Sequence, residues 1–402
     1  MPSLAPNRAL GLIAVGVLLA TSTWFTGTAA APLLRKIWDL SDVQSSWLTV
    51  SVQLGFIAGT FLYAVLNLPD VFSPRWVFFV SAGMAGLFNA GFTLLSDSLA
   101  SALTFRFLTG VTLAGVYPVG MKLVAQWLRS SLGWGLGVML AALTMGTSFP
   151  YLIFALGVDL EWRVLMLSAS GFSLIGGMMV LVFLPSGPFL RASAPFDPHM
   201  IWRIFRDRSF RLQAFGYFGH MWELYAFWSL AAAYLAASFQ HSDSPLQGSV
   251  PLVTFAAIGT GIVGCLIGGW ISRRVGERNV ALGALSVSGI LCAASWWIFE
   301  QDGRWVTAAV LLWGAVVIAD SPQYSALAAR SCPPRYTGTA LTIQNGVGFG
   351  ITVLSIQLTA WLAHCLGWKW AFVFLAVGPL MGAISLFRLD GKSEETASCE
   401  SL

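Results

Sequence analysis

The chain has little charge. Lys, Arg, Asp and Glu together make up 10% of its 402 residues, against 56% hydrophobic ones. A water-soluble protein has too little interior to hide that much apolar surface, so the composition excludes a soluble globular domain and makes the lipid bilayer the solvent. The net charge of +4 is dispersed in short connections and forms no basic patch, which excludes nucleic acid as a partner. There is no GxxxxGK[ST] stretch to cradle phosphates, so the chain carries no nucleotide site of its own. The five cysteines, at 265, 292, 332, 365 and 399, show no CxxC spacing and no disulfide framework. No Ser/His/Asp or HExxH arrangement points to an enzyme, and the reading calls for no metal and no cofactor.

What the chain does have is long apolar runs. A bilayer core takes about 20 apolar residues per helix, and twelve runs qualify: 8–31, 44–66, 74–95, 99–127, 132–156, 161–184, 212–238, 249–272, 279–299, 304–329, 337–364 and 368–388. They are Gly-rich and nearly charge-free, which favours helices over the alternating strands of a membrane barrel. The first run reads as an uncleaved helix and not a signal peptide, since eleven similar runs follow. Sixteen of the 22 Lys and Arg residues fall at one set of helix ends and five at the other, with Arg106 between them. That bias places both termini in the cytoplasm. The longest inner connection, 185–211, is Pro-rich and then basic, and reads as a segment lying on the membrane surface. It divides the chain into a six-helix bundle at 1–184, a linker at 185–211, a second six-helix bundle at 212–388 and a tail at 389–402.

The halves echo each other. The fourth span carries Ala114-Gly-Val-Tyr-Pro118 and the tenth carries Ile318-Ala-Asp-Ser-Pro322. Paired motifs of this kind are typical of secondary transporters that rock about a midplane site. The connection after the second span has Asp70, Ser73 and Arg75; the one after the eighth has Gly269, Arg273, Arg274, Gly276 and Arg278. The fourth span adds Arg106-x-x-x-Gly110-x-x-x-Ala114-Gly115, and the fifth adds Gly133, Gly135, Gly137 and Gly146-Thr-Ser-Phe-Pro150. On these motifs the chain resembles the major facilitator superfamily over residues 8–388. That resemblance implies an all-α membrane fold of twelve helices in two bundles related by a pseudo-two-fold axis, and alternating access. Within it, 216–228, 319–330 and 341–353 are similar in texture to the nitrate/nitrite- and cyanate-type porters. The Arg residues which those nitrate porters place in the second and eighth helices have no counterpart inside the corresponding spans.

Six charged or imidazole residues stand inside apolar runs. An ionised group at bilayer depth costs about 2.5–3.5 kcal/mol on insertion scales, so each asks for a reason. Arg106 reads as an anion clamp or coupling charge, against a snorkelling Arg that reaches the headgroups. His220 and Glu223 lie three apart on one helix face, as a proton carrier and its relay, against a plain interhelical hydrogen bond. Asp320 precedes Ser321-Pro322, where a freed carbonyl and an acid suit coupling; the bland alternative is a bridge to Arg330 or Arg335. Lys122 and His364 read as interfacial. Tyr117, Trp222, Tyr225 and Tyr324, with Trp24 and Phe25, are placed near the cavity, with plain packing as the alternative for each. Gln344 and Asn345 bind substrate or glue helices. Asp70, Arg75, Arg129, Arg273 and Arg278 read as gate latches.

The expected activity is secondary active transport by alternating access, proton-coupled, of a small polar or anionic solute. The protein is expected as a multi-pass monomer in a bacterial inner membrane, with protons, lipid and a small molecule as its partners. Two alternatives stay open. Efflux of lipophilic compounds fits an apolar, aromatic cavity holding one acid. Soft-metal transport fits Met221, Cys265 and Cys292.

Overall fold

The computed structural model describes residues 5–128, 132–156, 161–189, 199–332 and 337–389. Among them every regular element is helical. The first span is a pair, α1 (Pro6–Thr21) and α2 (Thr26–Trp38). Then come α3 (Asp42–Val65), the single turn α4 (Leu68–Val71) and α5 (Pro74–Leu95). The fourth span is again a pair, α6 (Leu99–Leu113) and α7 (Tyr117–Trp127), followed by α8 (Leu132–Leu156) and α9 (Trp162–Phe183). A short α10 (His199–Arg206) leads into the long α11 (Arg208–His241). The eighth span is α12 (Val250–Gly259) with α13 (Gly261–Val275), the ninth α14 (Glu277–Ile298), and the tenth α15 (Gly303–Val317) with α16 (Ser321–Arg330). The chain closes with α17 (Thr337–Leu366), α18 (Trp368–Ala371) and α19 (Val377–Phe387).

Eleven of these helices or helix pairs are long and apolar enough to cross a bilayer among the described residues. The seventh traverse, α11, has 34 residues, about 51 Å at 1.5 Å per residue, and is the most polar of the twelve. It starts earlier and ends later than hydropathy predicts. Asp207 caps it by accepting from the Phe210 amide at 2.8 Å, and Arg208 and Arg211 conceal its first turn in a hydropathy profile. The first span also runs beyond Ala31 as far as Trp38, through Arg35 and Lys36 at the membrane boundary.

The periphery is apolar: Ile290, Leu354, Leu380 and Phe387 are exposed, as lipid-facing side chains require. Inside, glycines let helices touch along their backbones. A Cβ at Gly110 of α6 would run into the Val52 carbonyl of α3, and one at Gly314 of α15 into the Ala257 carbonyl of α12. These are the second and fourth spans in one case and the eighth and tenth in the other, so the same close approach recurs six spans on. The long-range packing repeats as well. The second span (α3) packs on the eleventh (α17), and the fifth (α8) packs on the eighth (α12 and α13).

Beneath the bundle, Ile204 of α10 is buried against Phe210, Ala328 and Ala340, which seats the short basic helix under the later spans. Two arginines at the starts of α5 and α14 do matching work. Arg75 donates to the Leu184 carbonyl at the end of α9 (2.6 Å), and Arg278 donates to the Leu386 and Phe387 carbonyls at the end of α19 (2.8 and 2.9 Å). Each caps the last span of its own group of six, where the helix dipole favours a cation.

Candidate functional site

Besides the eighth and the last, three traverses are interrupted along their length, between α1 and α2, between α6 and α7, and between α15 and α16. The last two breaks precede Pro118 and Pro322, which withhold an amide from the helix ladder. These are the paired sequence echoes of the fourth and tenth spans. The first break, Ser22–Phe25, has no proline at it; a cation holds it instead. Arg106 is fully buried and donates to the Thr23 carbonyl (2.9 Å), the Trp24 carbonyl, Thr26 Oγ1 (3.2 Å), Asn89 Oδ1 (3.3 Å) and the Leu48 carbonyl (3.3 Å). Asn89 is anchored in turn to the Met166 carbonyl (2.7 Å) and Ser170 Oγ (3.0 Å). The guanidinium thus sews the broken first span to α3, α5 and α6. Its five acceptors are all neutral, and no carboxylate lies within ion-pair distance of it among the described residues. Asn89 was not among the residues expected from the sequence; its only sequence signal is a lone amide in the apolar third span.

On α11 the polar residues form a ladder one turn apart. Gln213 Nε2 donates to Gln344 Oε1 at 2.8 Å, and the Tyr217 hydroxyl donates to Asn345 Oδ1 at 3.0 Å, so both rungs reach α17. The next rung is His220. Its Nδ1 lies 2.8 Å from Asp320 Oδ1, and its Nε2 lies 2.7 Å from Ser321 Oγ. Asp320 occupies the residue before α16, so its carboxylate sits at the positive end of that half-helix. The bridge from Asp320 to Arg330 does not form; Arg330 pairs with Glu277 at 2.7 Å. Arg335 lies outside the described residues. The Tyr324 ring covers the pair, 5.7 Å from both His220 and Tyr217. Gln213 and Tyr217 had not been singled out in the sequence, although their spacing from His220 (seven and three residues) places them on one helix face.

Glu223, one turn beyond His220, turns to a different set of partners. Its Oε1 accepts from Ser288 Oγ of α14 and from Trp313 Nε1 of α15 at 2.5 Å, inside the packed bundle. Ser288 and Trp313 carry no signal in the sequence, where a serine and a tryptophan in apolar helices are ordinary. Trp222 packs on Phe374 at 5.1 Å and faces the last span, away from this cluster. Tyr117 opens α7 and packs against the main core. Tyr225 joins Phe25, with near-parallel rings 6.3 Å apart, Trp228 at 5.5 Å and Phe349 at 5.1 Å.

Of the expected latches, Arg75 and Arg278 make the caps described above. Arg273 is exposed at the end of α13, where the neighbouring Arg274 lies over Trp270 at 4.4 Å. Arg129 and the side chain of Asp70 lie outside the described residues. Lys122 is partly buried and donates to the Pro69 carbonyl at 3.0 Å, holding the end of the fourth span to the connection after the second. Among the described residues no three His, Cys, Asp or Glu side chains converge as metal ligands. Cys265 contacts the Ile318 carbonyl, whereas Cys292 lies beside Glu223.

A cavity of about 1200 Å³ opens at the end of the molecule away from the start of α1. It lies between the α2–α3 and α8–α9 ends on one side and the ends of α11 and α12 on the other. Alanine is the commonest residue of its wall, Thr28, Thr49, Ser229 and Gln240 are among its uncharged polar groups, and Arg35, Lys36, Asp42 and Glu161 are its charged ones. Thr28 and Ser229 lie about one turn along their helices from Phe25 and Tyr225, so the ring cluster packs beside the cavity, although none of its rings is among the lining residues. The His220–Asp320 pair and Glu223 are not among its lining residues.

The fold and sequence both have known counterparts. The nucleoside transporter NupG superposes with a TM-score of 0.69 over 96% of this chain and 99% of that one, at 11% identity, which is a likeness of fold. The niacin transporter NiaP of Acinetobacter baylyi is 32% identical over 130 residues, covering 29% of this chain and 28% of that protein. The probable galactarate/D-glucarate transporter GudP of Escherichia coli is 25% identical over 118 residues, 28% of this chain and 26% of that protein. The chain thus aligns with about a quarter of the length of either relative. The family model for the Major Facilitator Superfamily matches residues 12–355. With twelve traverses, paired helix breaks and a cavity between packed helix groups, the chain is a multi-pass membrane protein that belongs to the Major Facilitator Superfamily.

Proposed function

We propose that the protein couples proton movement to the import of a small polar or anionic solute, through two rocking bundles, 1–184 and 212–388, joined by 185–211, with 389–402 as a tail. Both termini are cytoplasmic in this reading, in a bacterial inner membrane, and the working unit is a monomer. The observation that carries it is the buried His220–Asp320–Ser321 chain at the break of the tenth span, one helical turn from Glu223. A titratable pair at a helix break, where two half-helices can reorient, ties proton occupancy to the position of one bundle against the other. Glu223 is a second acid, on the same helix as His220, held by two neutral donors. A proton taken up on one face by His220, Asp320 or Glu223 and released on the other after rocking would accompany each solute. The solutes named for the two sequence relatives, niacin and galactarate or glucarate, are carboxylic acids, which supports an anionic cargo.

Efflux of lipophilic compounds is supported by the alanine-rich cavity wall. One experiment separates the readings. The protein is reconstituted in vesicles loaded with a pH-sensitive dye and given carboxylates, sugars and lipophilic cations in turn. Proton influx driven by an inward carboxylate gradient, lost in Glu223→Gln and Asp320→Asn, is the expected result. Proton exchange only with lipophilic cations selects efflux, and unchanged proton coupling in both variants removes these acids from the mechanism.

A further inference from the structure

We infer that the ring layer where the two bundles meet, beside the cavity, is a binding slot for a planar aromatic carboxylate. The inference rests on the transport reading and names its cargo class. Four observations converge on this layer.

The rings come from both bundles. Trp24 and Phe25 stand in the break of the first span, where the chain is not helical, and so reach inward as a helical pair would not. Facing them are Tyr225 and Trp228 of α11 and Phe349 of α17. Phe25 and Tyr225 are near-parallel, 14° apart, with centroids 6.3 Å apart. A flat ring sandwiched between two others needs about 7 Å, two contacts of about 3.5 Å. A modest parting of the bundles therefore opens a slot shaped for an aromatic ring and too thin for a puckered one.

The layer also holds unused donors. Trp24 Nε1 and Trp228 Nε1 are both buried without a hydrogen-bond partner. An indole N–H can only donate, and burying it unpaired is unfavourable, so both positions call for an acceptor. The third observation is charge. Arg106 binds the Trp24 and Thr23 carbonyls in the break that carries two of the rings, and no carboxylate lies within ion-pair distance of it among the described residues. Its field reaches the slot with little screening. The fourth is that the two acids nearby are engaged elsewhere, Asp320 with His220 and Glu223 with Ser288 and Trp313. Flat rings, unpaired N–H donors and an uncompensated cation select a solute that is planar, aromatic and negatively charged.

The test uses the purified full-length protein and three probes: benzoate, cyclohexanecarboxylate (the same charge, not flat) and benzamide (flat, uncharged). Thermal stabilisation should saturate with benzoate and be at least about tenfold weaker in affinity with the other two. Trp24→Phe and Trp228→Phe keep a ring and delete one N–H each. Each should weaken benzoate several-fold with little change in the melting temperature of the free protein, and the double variant more than either. Equal binding of all three probes, or full benzoate affinity in the double variant, overturns the slot. Uptake of an aliphatic carboxylate that benzoate does not compete for also overturns it, while leaving proton-coupled transport intact. Benzoate binding without any solute-driven proton flux upholds the slot and removes the coupling.

Discussion

Arg106 holds the break of the first span from the neighbouring fourth one, with its guanidinium on the Thr23 and Trp24 carbonyls. Sequence reasoning marks it because a guanidinium in an apolar helix is costly. The structure accounts for that cost by giving it five acceptors from four segments of chain, three of them backbone carbonyls. Arg106→Lys keeps the charge but offers one point donor group with three N–H bonds in place of a fork, so at least two of the five acceptors lose their donor from this side chain. It should lower stability by about 2–4 kcal/mol, read as a large drop in melting temperature in detergent; an unchanged melting temperature contradicts the stitching role. Ser321 makes the complementary case. It bonds His220 Nε2, so Ser321→Ala should leave folding nearly intact and shift the pH profile of uptake, because the imidazole loses one of its two fixed partners. His220, Glu223, Asp320 and Arg106 were legible from the sequence because each breaks the apolar pattern. Ser288, Trp313 and Asn89 were not, because a neutral side chain in a membrane helix gains meaning only from what faces it.

At the scale of elements, helix ends and helix contacts separate cleanly. Gly110→Ala and Gly314→Ala each push a methyl into a backbone carbonyl that cannot yield, so both should destabilise the fold by about 1–3 kcal/mol or more. Gly137→Ala and Gly269→Ala, where nothing lies within 4 Å of the added carbon, should be neutral in the same melting assay. The spans were nearly all legible, since length and hydropathy are written directly in composition. The exceptions have physical causes: α11 begins under two arginines, and α2 extends past the apolar run. The breaks in the fourth and tenth spans were visible through Pro118 and Pro322, whereas the break at Ser22–Phe25 depends on a cation from another helix. On the far face, Glu300 in the turn after α14 is held below the ordinary carboxylate range by its hydrogen bond from Lys369. Its folded value is depressed, so its stabilisation is present above the unfolded value and is lost as pH falls through the folded one. The melting difference between wild type and Glu300→Gln should therefore be small at neutral pH and vanish in acid.

At the scale of the whole molecule, the two groups of six spans meet through matched pairs, the second with the eleventh and the fifth with the eighth, around a cavity open on one face. The paired motifs in the sequence predicted the repeat. They could not say that rings from both groups would pack beside the cavity, nor that His220, Asp320 and Glu223 would lie outside its lining, because both facts come from helices distant in sequence converging. In the proposed cycle solute enters the slot between the rings, and His220, Asp320 and Glu223 tie the parting of those rings to proton movement. In such a cycle the acids are needed to harness a proton gradient and not to carry solute as such. The decisive measurement compares two modes of uptake in vesicles containing Asp320→Asn: exchange of labelled for unlabelled benzoate, and accumulation of benzoate driven by a proton gradient. Proton-coupled import predicts that exchange persists while gradient-driven accumulation is lost; accumulation at the wild-type level in this variant would contradict it.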